Sequence, residues 1–574
     1  MMKNQELSQI FNRIADSLEL KGETGFRVLA YRKAARVLAE LTEDIEDLDR
    51  DNRLETMPGI GAGIAKKIHE YLNTGRMKKL EEATRGLEPG LFALLDIPGV
   101  GPKTVRLLHQ KLRVKNIEDL KKVLADGSAA KLPGMGEKKV KNIFQGIQTA
   151  EHAGERMYLN EAWELAEAIV SHLQNANVCK QVTFAGSLRR GKETIGDIDI
   201  LASGKNPTQI VNCFINYPRK QQVVSAGETK ASILVITNSG VRQIDLRVIG
   251  ENEFGAALQY FTGSKDHNIK LRTLAQKQGL KISEYGVFRK KKRIAGKTEA
   301  EVYKVLGLNY IEPELREDRG EIEAAQEGHL PYLVQLADIH ADLHIHTDAS
   351  DGLSSLEEIV TAGKKRGYTH IAITEHSVSA GYAGGLTEDE LLRRCEEIDR
   401  LNNKLSGFRI LKSAEVDITP EGKLDYSDRT LAQLDLVIAS IHQAFNREAT
   451  KRTCAAIEHP LIQIIAHPSG RIINKRPGYD IDLEKVIEWA AKFRKILEIN
   501  SYYARLDLND IWAKKAKDAH VLLAINTDAH SVADLSWMRY GVITARRAWL
   551  EKSDVVNCLT LDKLLKLLKP TPRI

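Results

Sequence analysis

At 574 residues the chain is too long for one domain, and at roughly 150 residues per domain it implies three to five. Hydrophobic residues make up 43% and charged residues 28%, and the net charge is +6; this is the balance of a folded protein and excludes a largely disordered one. No apolar run approaches the roughly 20 residues needed to cross a bilayer, and the N-terminus lacks the apolar block of a secretory signal. The five cysteines are scattered with no metal-type or disulfide spacing, so reduced thiols in a cytoplasm are expected. No coiled-coil heptads occur, so a monomer is expected.

Charge and histidine are unevenly spread. Residues 1–150 hold 26 Lys+Arg against 21 Asp+Glu, whereas residues 336–574 hold 33 against 34 and ten of the sixteen histidines. The basic first third favours a polyanion partner, and surplus imidazoles in a slightly acidic segment point to metal ligands.

Residues 1–150 read as nearly all helix. One pattern, apolar-Pro-Gly-apolar-Gly, recurs three times, with Gly59 and Gly61, Gly99 and Gly101, and Gly134 and Gly136, each followed by a lysine-bearing helical stretch. Glycines in such turns can adopt positive φ and admit another backbone, and the helix that follows offers free N–H groups to a phosphate. A single copy also serves as a plain inter-helix turn; three in a basic region resemble helix-hairpin-helix motifs, which hold a nucleic-acid backbone without reading its sequence.

From about residue 180 the texture becomes α+β. Gly186-Ser187-Leu188-Arg189-Arg190-Gly191 ends one predicted strand and Gly196-Asp197-Ile198-Asp199 opens the next. Residues two apart on a strand face the same side, and a third strand, Arg242–Arg247, can bring Asp245 to the same spot. Three carboxylates repel unless cations intervene, and magnesium suits hard oxygens and phosphates. Gly186, Ser187 and Gly196 can donate hydrogen bonds to phosphate, and Arg190 a charged fork. Residues 281–294 read as an exposed basic strand pair, and the charged stretch 316–335 as a linker.

After residue 336, seven apolar strand-like runs alternate with helical stretches, as in a parallel barrel. Their ends carry His344 and His346, His376, Glu415, His442, His467, and Asp528 with His530, and Asp351 follows the first run. Barrel strands deliver functional groups at their C-terminal ends, so these nine should converge. That is too many ligands for one ion, and mixed imidazole and carboxylate donors favour zinc, manganese or iron. His340, His370, His459 and His520 read as ordinary core or surface histidines.

These motifs carry two resemblances. Gly-Ser-x-Arg-Arg-Gly, Asp-x-Asp and the later Tyr260-Phe261-Thr262-Gly263-Ser264 resemble the palm and dNTP pocket of the family X DNA polymerases, in the right order over roughly 1–315. The resemblance implies that Asp197, Asp199 and Asp245 hold catalytic Mg²⁺ ions, with Asp245 activating the primer 3′-hydroxyl. Ser187, Arg190 and Gly196 would bind the triphosphate. Tyr260 and Phe261 would pack on the sugar, beside Gly263; Asn268 would meet the base edge and Arg272 the templating minor groove. Gln243 and Lys265 depart from the beta-type enzymes, which carry an arginine and an aspartate there. Residues 26–33 and the first hairpin resemble the family's 5′-phosphate-binding lyase domain, which implies Lys67 as a Schiff-base nucleophile with Tyr31 and Lys79 nearby. Gly63 and Arg27 stand where two phosphate-binding lysines are usual, and a plain phosphate contact is the alternative role for Lys67.

His-x-His-(x)4-Asp-Gly, Thr-Glu-His-Ser, Ala-His-Pro and Asn-Thr-Asp-Ala-His are similar to the polymerase and histidinol phosphatase (PHP) domain over 336–574. This implies a distorted seven-stranded barrel with up to three Mn²⁺ or Zn²⁺ ions. One ion would sit on His344, His346, Glu415 and Asp528, one on Glu415, His442 and His467, and one on Asp351, His376 and His530. Asn500 and Arg505 would lie close by as supporting or phosphate contacts.

The expected architecture is a multidomain chain. A helical lyase-like domain (1–80) and a helical fingers-type subdomain (81–150), both with helix-hairpin-helix motifs, precede an α+β nucleotidyltransferase palm (151–255). A dNTP- and template-binding subdomain (256–315), the linker (316–335) and the (β/α)7 barrel (336–574) follow. The expected activity is gap-filling DNA synthesis in repair on gapped or primer-template DNA with dNTPs, joined to a 3′→5′ exonuclease that could also incise abasic sites or remove 3′-phosphates. The rival readings are a barrel that is an inert scaffold and a barrel that is a small-molecule phosphatase.

Overall fold

The computed structural model describes residues 3–40, 45–50, 53–56, 60–97, 100–136, 139–140, 143–144, 156–237 and 240–569. The chain divides into two compact units, Met1–Glu155 with Leu234–Gln243, and Arg156–Ile233 with Ile244–Ile574.

Before residue 156 the described chain is helical. Helices α1 (Lys3–Leu20) and α2 (Phe26–Glu40) pack with α3 (Ala62–Thr74) around Leu7, Phe11, Ile14, Leu38 and Ile68. A second apolar cluster gathers Leu91, Leu94, Val105 and Leu108 about α4 (Pro102–Leu112). Gly61 and Gly101 are the N-caps of α3 and α4. Their φ values of −89° and −90° are extended, so the positive φ expected of these glycines is not used there; Gly134, at φ 72°, does use it. A Cβ at Gly61, Gly101 or Gly136 would meet nothing within 4 Å, so the space a partner backbone needs is open. Gly59 and Gly99 lie outside the described residues.

In the palm, helix α5 (Leu159–Asn175) lies beside a five-stranded sheet of β1 (Gln181–Phe184), β2 (Ile198–Ser203), β3 (Lys220–Ala226), β4 (Lys230–Thr237) and β5 (Gly240–Val248), in the order β1-β2-β5-β4-β3. The adjoining helices α6 (Phe254–Thr262) and α7 (Lys265–Lys277) lead to a three-stranded antiparallel sheet, β6 (Leu280–Ser283), β7 (Gly286–Arg289) and β8 (Lys292–Ala295). The basic strand pair is therefore real and gains a third strand.

The stretch expected to be a linker is ordered. It holds helix α8 (Glu321–Glu327), and Arg316 and Glu321 are both 0% exposed. Arg316 donates to Glu299 at 2.6 Å, and Glu321 meets His267 Nδ1 at 2.6 Å. The charges of Arg316 and Glu321 are consumed by buried pairing rather than by solvent.

The last part is a seven-stranded parallel sheet in sequence order: β9 (Ala341–Asp342), β10 (His370–His376), β11 (Arg409–Asp417), β12 (Leu436–Ser440), β13 (Ile464–Ile465), β14 (Ile496–Asn500) and β15 (Leu523–Asn526). A parallel bridge between Ile345 and Ala529 joins the first run to the last and closes the barrel. Every residue of β10, β12, β14 and β15 is buried, as continuous apolar runs covered on both faces should be. One apolar cluster (Leu343, Leu411, Ile438, Ile464, Ala524) packs apart from a larger one shared by strands and helices. Of the covering helices, α9 (Asp510–Asp518) and α10 (Met538–Arg547) matter below.

Candidate active sites

Strands β2 and β5 run parallel in a register that sets Asp199 directly beside Asp245. Ile198 and Ile200 take the buried positions of β2, leaving Asp199 on the other face, and Asp197 stands two residues earlier, exposed just before the strand. Burial, then the nearby Asp197 and Asp245 carboxylates, push Asp199 up to about 6. That is the signature of like charges gathered for cations. Ser232 donates its hydroxyl to Asp245. Gly186, at φ 65°, opens the one-turn helix Gly186–Arg189, and a Cβ there would lie 2.7 Å from Asp199 Oδ2.

Ser187 is half-buried in the same turn, and Gly196 is exposed, next to Arg156. Arg190 donates to the Thr262 carbonyl and, through Nε, to Glu317 Oε1 at 3.1 Å. This places it against the Thr262–Gly263 turn, and a Cβ on Gly263 would stand 3.1 Å from its Nη1. The Tyr260 and Phe261 rings meet edge to face at 5.3 Å, and Arg247 lies over Phe261 at 4.7 Å. The Asn268 carboxamide is turned inward, accepting from Gln259 at 2.8 Å and donating to the Tyr260 carbonyl at 2.7 Å. Arg272 Nε donates to the Asn268 carbonyl at 3.3 Å.

Sequence reasoning missed Glu299. It takes Arg189 through both oxygens, at 2.8 and 2.6 Å, and Arg316 at 2.6 Å. Burial opposes its charge, but Arg316 and Arg189 outweigh that and bring its carboxyl down to about 2. It lies 110 residues from Arg189, and no local pattern marks it.

In the helical unit, Lys67 Nζ stands 6.0 Å over the Tyr31 ring and donates to the Gly63 carbonyl at 2.7 Å. Burial first, then the Lys79 charge, lower its pKa. Lys79 itself pairs with Glu82 at 3.1 Å.

The barrel gathers all nine expected ligands. Three convergent groups form among the described residues: His346, Asp351, His376 and His530; His344, His346 and Asp528; and His376, Glu415 and His442. His346 and His376 thus bridge groups that the sequence reading kept separate. The Nε2 atoms of His344 and His346 face each other at 3.1 Å, and His376 Nδ1 stands 3.0 Å from Glu415 Oε2. His467 Nε2 lies 3.0 Å from Glu415 Oε1, and His530 Nε2 3.3 Å from Asp351 Oδ2. His467 and Asp528 hold left-handed backbone, φ 29° and 54°, strain of the kind found where a site fixes a side chain.

The charge balance is extreme. Despite burial, Glu415 is held well below the carboxylate range by His442, His344 and His376. His376 is likewise pushed up to about 10, against its burial, by Glu415 and Asp351. Burial and the neighbouring His376 bring His346 down to about 3.

A shell behind the ligands fixes them. His344 Nδ1 meets Glu498 Oε1 at 2.8 Å, and the other Glu498 oxygen accepts from the His467 backbone N–H at 2.8 Å. Asn500 donates to Asp528 at 2.9 Å, and the Asp417 carboxylate lies 3.5 Å from His442 Nδ1. Glu498 and Asp417 escaped the sequence reading. Glu498 was findable, as a carboxylate inside the otherwise apolar run Ile496–Ile499, which has no reason to be buried unless something binds it.

The buried polar atoms test whether metal ions fit. Among the described residues His346 Nδ1, Asp351 Oδ1 and His467 Nδ1 have no hydrogen-bond partner. Orphaned donors and acceptors this deeply buried are costly unless ions use them. The imidazole and carboxylate set fits divalent transition metals, and the hard-oxygen triad of the palm fits magnesium.

A sheet that pairs acidic residues beside a phosphate-sized turn, on one chain with a histidine-lined barrel, defines a two-site, metal-dependent phosphoryl-transfer enzyme. Family models bear this out: a helix-hairpin-helix domain over 2–77, a SAM-like helix-hairpin-helix tandem over 92–149, the DNA polymerase beta palm over 156–228 and thumb over 257–317, and a PHP domain over 342–506. The chain is 38% identical to the DNA polymerase/3′-5′ exonuclease PolX of Bacillus subtilis (strain 168) over 99% of its own length and all of that protein. It therefore belongs to the PolX family, family X DNA polymerases with a C-terminal PHP domain. DNA polymerase lambda of Rattus norvegicus is 28% identical over 55% of the chain and 56% of its own length. A probable phosphatase of Thermoanaerobacter sp. (strain X514) is 31% identical over 40% of the chain and 95% of its own length.

Proposed function

We propose that this enzyme fills short gaps in DNA during repair and trims 3′ ends with its barrel, as a monomer in the cytoplasm. The in-register pair Asp199–Asp245 carries the first half. Asp197, Asp199 and Asp245 would hold Mg²⁺, which when bound supplies the positive charge that steadies an in-line displacement at phosphorus. Ser187, Arg190 and Gly196 hold the triphosphate oxygens, Asp245 takes the proton of the primer 3′-hydroxyl, and Tyr260 and Phe261 pack on the sugar. Asn268 reads the base edge after releasing Tyr260, and Arg272 supports it from the templating side. The glycine turns at Gly61, Gly101 and Gly136 hold the DNA backbone, their Cβ positions open to it.

In the barrel, the nine ligands would hold two or three Mn²⁺ or Zn²⁺ ions, which when bound draw in a phosphodiester and ready water for attack. Glu498 and Asn500 orient His344 and Asp528. The same donor set suits incision of the phosphodiester beside an abasic site, and hydrolysis of a terminal 3′-phosphate, which is a monoester. A second reading applies to Lys67: its lowered pKa and its place over Tyr31 favour 5′-deoxyribose phosphate lyase chemistry, in which the amine attacks the sugar aldehyde.

The test uses a 5′-labelled primer on a short gap with a 5′-phosphate, with magnesium or manganese, with and without dNTPs. Wild type should lengthen the primer with dNTPs and shorten it without them; Asp245→Ala should lose only lengthening and His344→Ala only shortening. A primer that lengthens but never shortens, alongside hydrolysis of small phosphate esters, would make the barrel a phosphatase of small molecules.

A further inference from the structure

Helix α10 of the barrel lies directly beneath the palm turn that carries Arg190. Gly191, at φ 65°, is pressed so closely on it that a Cβ would stand 2.1 Å from Ile543 Cγ2. Ile543 and Arg547 are four residues apart and so share one helix face. Arg547, 5% exposed, donates through Nη1 to the Arg190 carbonyl at 2.6 Å and to Glu317 Oε1 at 3.0 Å, and through Nη2 to Asp510 Oδ2 at 2.8 Å. Glu317 Oε1 in turn accepts from Arg190 Nε at 3.1 Å. Arg190 is thus gripped at its carbonyl and at its guanidinium by one arginine–glutamate pair.

We propose that Arg547 is a positioning residue for the polymerase site, acting from the barrel to hold the triphosphate-binding turn and to keep Arg190 available for phosphate. The proposal rests on the reading of Arg190 as a triphosphate contact. Two physical consequences follow from the geometry. First, Glu317 is shared: Arg190, Arg547 and, at 3.9 Å, Lys192 all draw on it, so it does not neutralise Arg190 alone. Arg190 Nη2 has no hydrogen-bond partner among the described residues and can turn to phosphate as a charge-assisted donor. Without Arg547, the Glu317 carboxylate would settle on Arg190 and compete with the triphosphate. Second, the carbonyl of Arg190 would lose its charged donor, and the turn its anchor to α10. The cluster extends away from the turn through Arg319, which meets Asp510 at 3.0 Å, and through Arg471, which meets Glu193 at 2.8 Å. The barrel therefore contributes to DNA synthesis through contacts that involve none of its own metal ligands.

The experiment compares full-length Arg547→Gln, Arg547→Lys and Arg190→Ala with wild type in single-nucleotide gap filling, with KM and kcat separated, and with thermal unfolding and single-strand nuclease activity as checks on the fold. Arg539→Ala, which removes from the same helix α10 an ion pair with Glu167 of α5, serves as control. Arg547→Gln should raise KM for dNTP about tenfold with kcat within about threefold, leaving the nuclease and DNA affinity unchanged. Arg547→Lys, which keeps the charge but reaches fewer acceptors, should fall between, and Arg539→Ala should match wild type. If Arg190→Ala raises KM and a folded Arg547→Gln does not, the proposal is overturned while the Arg190 reading stands. If Arg190→Ala leaves KM unchanged, that reading falls first. Should Arg547→Gln fail to fold, Arg547→Lys decides: a KM equal to wild type overturns the proposal.

Discussion

Gly186→Ala should disable polymerisation without touching the barrel. The residue sits at φ 65°, where an L side chain costs about 1–2 kcal/mol. Its new Cβ would meet Asp199 Oδ2 at 2.7 Å, whereas carbon and oxygen normally approach to about 3.3 Å. Either the turn or the carboxylate must give by roughly half an ångström, and the Asp199 carboxylate, at the end of a side chain, yields more readily than backbone. A catalytic group displaced on this scale costs on the order of 10²-fold, about 2.7 kcal/mol of barrier. The assay is single-turnover insertion of one nucleotide into a gap, beside exonuclease on single-stranded DNA and a thermal unfolding curve. The expected result is a loss near 10²-fold in insertion, unchanged nuclease, and a small fall in the unfolding midpoint. Insertion within threefold of wild type, in a protein that still needs Asp199, would refute the idea that this close approach sets the carboxylate.

Three further outcomes are expected. Glu498→Gln removes the anionic partner of His344 Nδ1, so Mn²⁺ or Zn²⁺ affinity, measured by chelator competition, should drop roughly 10- to 100-fold while DNA synthesis is retained. Lys67→Ala should abolish the adduct that wild type forms with borohydride on DNA carrying an incised abasic site; no adduct from wild type would leave Lys67 a phosphate contact. Glu299, whose carboxyl is depressed from 4.5 to about 2, adds stability that is fully present above pH 4.5 and lost as pH falls toward 2. That contribution is roughly 3 kcal/mol, so the gap in urea midpoint between wild type and Glu299→Gln should close between pH 5 and pH 2.

What was legible in the sequence was chemistry tied to a short period. Asp197, Asp199 and Asp245 follow from the alternation of strands, and the barrel ligands from their recurrence at strand ends, even though β9 is only two residues long and His344 and His346 lie beyond it. Conformation at single residues was less legible: Gly61 and Gly101 cap their helices in extended geometry, because the open space at Cβ, not the sign of φ, is what a close approach requires. The Asn268 carboxamide is occupied by Gln259 and the Tyr260 carbonyl, partners set by the α6–α7 packing rather than by any motif.

The stretch 316–335 shows why composition misleads. Its charges look like those of a solvated connector, yet Arg316 reaches Glu299, Glu317 reaches Arg190 and Arg547, Arg319 reaches Asp510, and Glu321 reaches His267. Each partner is distant in sequence or lies in another layer, so no window of residues reveals the pairing. Breaking the buried Arg316–Glu299 pair would leave a fully buried guanidinium short of its carboxylate, which costs more than a flexible tether could recover in entropy. The segment is thus the seam between the palm side and the barrel side of one compact unit, not a hinge between them.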